Sequence, residues 1–545
     1  MDLKQKTREA AELVASSYLY ICLIFAFIVL LKVLNWIPLL TIVIKRYIYF
    51  LPLAAIPVIL ALKKETLIPK PLSKKLVFLL LGTLFLLVLI PRISPYLDNS
   101  IPIGYDAGFY KYMIEKYNNA LPQIPEESLD AWIKKGNEQG LFFVSSQLFI
   151  FSGLNAVEIF NYLFPFLCAF LVFPIFLLAK TVFDDKTGVL AALFYAVSYT
   201  QYAMFSFLYL KTIFGLMFLL LSLYALQKEK YALFTLMYAA LGIFHAPEFL
   251  ILSLALVPYF IFFKRDKKLV ASVVVALFLI APFWLPRLNY MLDLGSSVAG
   301  TFSTNLSTGA GLGGGTFFDL TEYEWVSIVY LPFALAGALY LLLKKKWNPL
   351  FLCFIILYAI VFFQLFFFKR YIIVFDLFAM ILAAGAVAYT LFKPSGAGYA
   401  KVLGVVVVSL LCLSSAVVLF TQIPRVTPLI NENQLASINW LAENTEPNAF
   451  VLATSFDAPW VLGWSERRVI APGLFDWNKQ GEAEWLEFLK TPDYDVAKKL
   501  LDVYDKPIYV YYSKSKWNYL NLEKFENSCF KKLLNGDALV YQYVC

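Results

Sequence analysis

IPIGYDAGFYKYMI, residues 101–114, follows directly on an apolar run and sets one carboxylate, Asp106, between two tyrosines and two glycines. What it means depends on which side of a membrane it faces, and that is decided by the composition around it. Hydrophobic residues make up 60% of the 545-residue chain and charged residues only 15%. The mean hydropathy is +0.69. Several runs rich in Leu, Phe and Ala are long enough to cross a bilayer as helices, which takes roughly 20 residues. They lack the strict alternation of a barrel strand. The expected fold class is a polytopic α-helical membrane protein. The net charge of +8 is dispersed over short connections, which points to membrane topology and away from nucleic acid.

The expected spans are 15–34, 46–62, 76–91, 157–179, 188–207, 211–227, 231–245, 247–263, 268–285, 326–343, 349–368, 371–392 and 401–421, about 13 in all. Residues 32–46, KVLNWIPLLTIVIKR, read either as a re-entrant or interfacial piece or as part of the second span. The charged start, MDLKQKTREAAELVASS, followed by a long apolar run, reads as an uncleaved signal anchor. KKETLIPKPLSKK (63–75), DDK (184–186), KEK (228–230), KRDKK (264–268) and KKK (344–346) fall in alternate connections. The positive-inside rule makes these cytoplasmic, together with the N-terminus. Residues 92–156, 286–325 and the region after 421 then face outward, and Asp106 lies at the extracytoplasmic surface. FYKYMIEKYNNAL, just behind it, carries aromatics and charges at helical spacing, as a helix lying in the membrane interface does. No internal repeat and no inverted halves are evident.

From residue 422 onward prolines cluster and charge returns. NENQLASINWLAENT reads as an amphipathic helix, AFVLAT as a buried strand, GEAEWLEFLKT and DVAKKLLDVY as helices, and PIYVYYSK as a second strand. CFKKLLNGDALVYQYVC reads as a hairpin turning at Asn535-Gly536-Asp537. Cys529 and Cys545 flank it and face each other across the strands, either as a disulfide or as two free thiols. Cys22, Cys168, Cys353 and Cys412 lie in apolar runs as packing residues. The domain expectation is therefore 1–421 in the membrane and 422–545 as an extracytoplasmic α/β domain.

This architecture resembles the GT-C glycosyltransferases. Within them it is similar to prokaryotic relatives, archaeal ones included, of the oligosaccharyltransferase catalytic subunit and of the protein mannosyltransferases. Four local stretches carry the resemblance. GYDAGFY (104–110) looks like the family's external-loop aspartate motif. GIFHAPEF (242–249) looks like a His-Pro element at an external helix junction. FFFKRYIIVFDLFAMILAAG (366–385) looks like the basic pair opening a late span. WLAENTEPNAFVLATSFDAPWVLGWSERRVIAPG (440–473) looks like the start of the C-terminal domain. There are departures too. The WWDYG signature of oligosaccharyltransferases is replaced by TSFDAPW (454–460), which argues against transfer to asparagine. The second external acidic pair expected for a metal site is missing from TQYAMFSFLYLK, and two extra spans precede the aspartate loop.

The resemblance implies a polyprenyl-phosphate-linked sugar donor and a glycan, lipid or protein acceptor, with membrane lipids around the enzyme and no nucleic acid. Asp106 is the candidate base for the acceptor hydroxyl. The alternative is an N-cap of the following helix. Gly104 and Gly108 allow close backbone approach, and Tyr105, Phe109 and Tyr110 are placed to stack on sugars or sit among headgroups. The leaving phosphate needs fixed cations. Lys211, Arg287, Lys369 and Arg370 fall at expected external span ends, where a lone cation is otherwise a snorkelling anchor. Lys369-Arg370 precedes Asp376 inside a span, for which a local ion pair is the plain explanation. His245, the single histidine of the chain, and Glu248 sit on a tight connection broken by Pro247. They are candidates for a phosphate or hydroxyl contact, and are too few for a zinc site. No cofactor is assigned, and a divalent metal ion is left open. GSSVAGTFSTNLSTGAGLGGGTFFDLTEYE (295–324), with Asp319, Glu322 and Glu324, reads as a lid or a long connection, and it holds an external sequon at Asn305. Two other classes compete with the enzyme: a lipid or glycan transporter or flippase, and a non-catalytic membrane scaffold.

Overall fold

Ser73 starts a helix by accepting from the Leu76 N–H at 3.3 Å, and no charge interrupts the run between Lys75 and Arg92, so the helix continues from Lys74 to Ile93. The same logic of apolar runs with polar ends repeats through the computed structural model. It describes residues 72–120, 139–303, 319–391 and 398–545, except 98, 289–291, 293–294, 297, 302, 328–329, 344–347, 476 and 515–519. The spans expected at 15–34 and 46–62, the 32–46 stretch, and the 304–318 segment with its sequon lie outside the described residues.

Among the described residues, seven helices are long and apolar enough to cross a membrane. They are Lys74–Tyr96, Ala156–Val182, Leu210–Gln227, Ala246–Phe263, Lys267–Trp284, Phe368–Ala388 and Val408–Arg425. Leu320–Ser327 and Leu331–Leu342 make an eighth if taken as one span, but they meet at 79°. Gly140–Ser152, Tyr231–Phe244 and Pro349–Phe362 are shorter apolar helices. The count of about 13 is thus not confirmed. One expected span, 188–207, is broken: Asp185–Val197 stops at Ser198, whose extended backbone (φ −74°, ψ 121°) and hydroxyl cap a separate helix, Tyr199–Ser206. The outward faces of the bundle carry exposed Phe78, Leu79, Phe166, Phe278 and Leu410, as a hydrocarbon solvent requires. Phe368–Leu391 runs through the middle of the bundle. Its Phe375 ring packs against Phe354 at 5.3 Å, Phe362 at 5.5 Å and Tyr323 at 6.0 Å.

The helix expected to lie in the interface is Ala107–Ala120, and it does not lie open on a surface. Its apolar side is covered by protein, with Tyr110 and Tyr117 against Phe142 at 6.3 and 5.5 Å. Aromatics at helical spacing fit either environment, and the packing partner decides which.

After Gln422 the chain forms helix Glu432–Asn444, opened by a reciprocal capping box between Asn431 and Gln434. A five-stranded sheet comes next, built from β1 (Phe450–Leu452), β2 (Arg468–Ile470), β3 (Ile508–Ser513), β4 (Phe530–Asn535) and β5 (Ala538–Tyr543). The order is β2-β1-β3-β5-β4, with β1 parallel to both neighbours and β5 antiparallel to β3 and β4. β3 is buried on both faces by alternation. Tyr509 and Tyr511 join the core shared with the long helices, while Ile508, Val510 and Tyr512 join a second core with Trp485, Phe488 and Leu500. The Cys529–Cys545 pair is a disulfide with a Cα–Cα distance of 5.0 Å.

Candidate active site

The aspartate loop is shaped by Gly104, whose φ of +90° suits glycine. It lies so close to Phe207 and Leu208 that a Cβ would stand 2.8 Å from the Phe207 carbonyl. Asp106 opens helix Ala107–Ala120, its main-chain carbonyl accepting from the Tyr110 N–H at 2.9 Å. The residue as a whole is half-buried. Burial pushes the Asp106 carboxyl above the ordinary carboxylate value, and two cations, Lys211 and Arg370, pull it back part of the way. Lys211 is half-buried in the first turn of Leu210–Gln227. Arg370 is exposed in the first turn of Phe368–Leu391, with its guanidinium 5.7 Å from the Phe367 ring. Asp106 thus lies within electrostatic reach of two cations far from it in the chain.

His245 and Glu248 are one step removed. His245 is the extended residue between Tyr231–Phe244 and Ala246–Pro258, and its Nδ1 contacts the Glu248 carboxylate directly. Glu248 is buried and His245 half-buried. Both pack on Gly215, where a Cβ would stand 2.9 Å from the His245 Cβ and 3.0 Å from Glu248 Oε2. Gly215 lies one turn along the helix from Lys211, so the pair adjoins that cation deeper in the bundle.

The remaining candidates are placed differently. Tyr105 is half-buried and its hydroxyl donates to the Ser455 carbonyl, with its ring 6.2 Å from Phe456. Burial first, then the Asp106 and Asp457 carboxylates, hold its phenol protonated far above the usual range. Tyr110 is only 4% exposed and packs near Phe142 and Phe160, so its ring is a packing group with no open face for a sugar. Lys369 is half-buried beside Arg370. Arg287 closes the short turn Leu285–Arg287. Asp376 takes hydrogen bonds from Ser198, Gln201 and Tyr330, which replaces a local ion pair as the reason it is tolerated.

Residues 440–473, which resemble the start of the family's C-terminal domain, contain a helix not expected from the sequence, Ala458–Ser465, directly behind TSFDAPW. That helix is clasped by Ala107–Ala120. The backbones approach so tightly that a Cβ on Gly108 would stand 2.0 Å from the Pro459 carbonyl oxygen, and one on Gly463 would stand 2.2 Å from the Gly108 carbonyl oxygen. Lys111 Nζ donates to the Gly463 carbonyl at 3.0 Å and pairs with Glu115 at 2.7 Å, and Lys116 pairs with Glu466 at 2.8 Å. The signal available was the pair of glycines, one in each stretch.

Among the described residues no three His, Cys, Asp or Glu side chains gather into a metal set. Asp106 is within electrostatic reach of two cations, and His245 with Glu248 supplies two donors. Among the described residues these groups form no metal set, and no step is derived through a metal.

No protein-family model and no curated protein sequence matches the chain. Solved structures do match. The apo oligosaccharyltransferase of Archaeoglobus fulgidus aligns with a TM-score of 0.60 at 14% identity, over 81% of this chain and 70% of that one. That enzyme is also known with zinc and sulfate, and with an inhibitory peptide and a dolichol-phosphate. ArnT from Cupriavidus metallidurans bound to undecaprenyl phosphate aligns with a TM-score of 0.50 at 11% identity, over 87% of this chain and 99% of that one. The arabinofuranosyltransferase AftD from Mycobacteria gives 0.52 at 12% identity, over 87% of this chain and 40% of that one. At such identities the likeness is one of fold, and the chain has the fold of the GT-C membrane glycosyltransferases.

Proposed function

We propose that the protein is a glycosyltransferase that takes a sugar from a polyprenyl-phosphate carrier and passes it to an acceptor hydroxyl on the extracytoplasmic side of the membrane. The observation that carries this reading is the packing of the Asp106 loop, through Gly104, on the Phe207–Leu208 turn that leads to Lys211, with Asp106 within electrostatic reach of Lys211 and Arg370. Asp106 takes the hydroxyl proton as the acceptor oxygen bonds to the anomeric carbon. The bond from that carbon to the phosphate oxygen breaks, and its electron pair leaves with the phosphate. Attack opposite the leaving group in one displacement inverts the anomeric centre. A carboxyl raised above its ordinary value is a stronger base than a solvated one. Lys211 and Arg370 are fixed charges for the departing phosphate, and His245 with Glu248 adjoins Lys211 as a hydroxyl or phosphate contact. The same-fold enzymes solved with dolichol-phosphate and undecaprenyl phosphate support a carrier of that class.

Sidedness is argued from charge and sulfur. The Lys228–Lys230 and Lys264–Lys268 connections are joined by Lys264 to Glu229 at 2.6 Å, at the opposite end of Leu210–Gln227 from Lys211. The positive-inside rule assigns that end to the cytoplasm and the site to the outside. The Cys529–Cys545 disulfide suits an oxidising compartment. The test is the Asp106→Asn protein in lipid nanodiscs, offered a panel of polyprenyl-phosphate sugars. Transfer is expected to fall by a factor of at least ~10² with expression and thermal unfolding unchanged. Full activity in that variant removes Asp106 as the base.

A further inference from the structure

Asp376 takes no part in the chemistry proposed above, yet it is fully buried in Phe368–Leu391. A carboxylate in that position is costly unless several donors reach it, and its donors come from two breaks in the chain. Gln201 Nε2 reaches Oδ2 at 2.8 Å and also donates to the Ile373 carbonyl at 3.0 Å. Ser198 Oγ reaches the same carboxylate oxygen at 3.2 Å and accepts from the Gln201 N–H, also at 3.2 Å. The Tyr330 hydroxyl donates to Oδ1 from the bend before Leu331–Leu343. Arg92, buried as well, donates from Nη2 to the Gln201 carbonyl at 3.2 Å. One glutamine thus joins a buried acid to a buried cation.

The segment leading on from Gln201 gives this knot a purpose. Residues 199–206 form a helix whose continuation, Phe207 and Leu208, is the bed on which Gly104 lies. Leu208 is fully buried with a φ of +58°, and three residues later comes Lys211. Arg370 stands on the same helix as Asp376, six residues earlier. The two cations that act on Asp106 therefore belong to two segments that are tied together at Asp376.

We propose that Asp376 is a positioning residue: with Gln201 it anchors residues 198–211 to the helix of Arg370 and so sets the spacing of Lys211 and Arg370 around Asp106. This rests on the reading of Lys211 and Arg370 as phosphate-binding groups, and the test separates the two claims. Full-length protein in nanodiscs is titrated with undecaprenyl phosphate and with dolichyl phosphate, which carry no sugar and need no turnover. Hydrogen exchange of the peptide covering Phe207–Lys211 is measured in parallel.

Gln201→Leu is expected to raise exchange in that peptide and to weaken carrier affinity about tenfold, with the number of binding sites per protein unchanged. Its KM for a donor should rise more than its kcat falls. Combined with Lys211→Met it should add little, because both act on one charge. Wild-type exchange at 207–211 in Gln201→Leu overturns the anchor. So does a loss of binding sites at unchanged affinity, which is the mark of a merely structural residue. If Lys211→Met weakens binding and Gln201→Leu does not, the anchor fails while the proposed site stands. If Lys211→Met binds both carriers normally, the phosphate reading itself falls, and the anchor's link to the site falls with it. Should Gln201→Leu not fold, Ser198→Ala removes the longer of the two Oδ2 bonds and is read by the same measures.

Discussion

At the scale of single residues, Asp106 is governed by opposing forces of known sign. Burial raises its carboxyl, and Lys211 and Arg370 lower it by a smaller amount. If Asp106 is the general base it works only when ionised, so activity is lost as pH falls through the carboxyl's value and gained as pH rises through it. The acid limb of kcat/KM is therefore expected above the ordinary carboxylate range of about 3.9. Lys211→Met removes one of the two cations that favour the ionised form. The limb should then move to higher pH, on top of any loss of donor affinity. A limb that stays put or moves down shows that Lys211 does not act on Asp106. The candidates themselves were legible in the sequence, because charges at the ends of apolar runs stand out. Which of them meet was not, since Asp106, Lys211 and Arg370 are separated by more than a hundred residues at each step. Tyr110 shows the limit most simply: an aromatic beside an aspartate reads equally well as a sugar platform or as core, and here it is core.

At the scale of elements, the pairing of Ala107–Ala120 with Ala458–Ser465 decides how the aspartate loop is held. The crossing is close because both helices present glycine, at 108 and 463. Gly108→Ala is expected to force the helices apart, costing about 1–3 kcal/mol of stability, and to lower transfer by shifting the start of the Asp106 helix. The same substitution at Gly82, where a Cβ would meet nothing within 4 Å, should stay within about 0.5 kcal/mol. Thermal unfolding of the two variants in detergent makes the comparison. Equal unfolding temperatures would mean that the crossing relaxes without cost. The amphipathic pattern of this helix was visible in the sequence, but its environment was not. One of its covering helices holds Phe142 and the other holds Gly463, 352 residues on from Lys111, and a hydrophobic face carries no record of whether lipid or protein will cover it.

At the scale of the molecule, the C-terminal sheet is part of the bundle's own packing as well as having a core of its own. Tyr509 and Tyr511 face one core and Val510 and Tyr512 the other, so the region after residue 421 shares one of its two cores with the membrane helices. If it is extracytoplasmic, Lys531→Cys on the exposed edge strand β4 should react with a membrane-impermeant maleimide in intact cells. Reaction only after lysis would place the sheet, and Asp106 with it, in the cytoplasm.

The amino-acid order alone determined that the chain lives in a bilayer, roughly where its long helices run, and that strands and helices alternate after residue 421. Hydrocarbon as a solvent leaves few alternatives to long apolar helices, and turn residues mark short strands. It did not determine that the 188–207 run breaks at Ser198, because an apolar composition reads the same whether a helix is continuous or interrupted. Only the tertiary structure decided which charges gather beside Asp106 and which buried donors hold Asp376, since both depend on contacts between segments that share no local pattern.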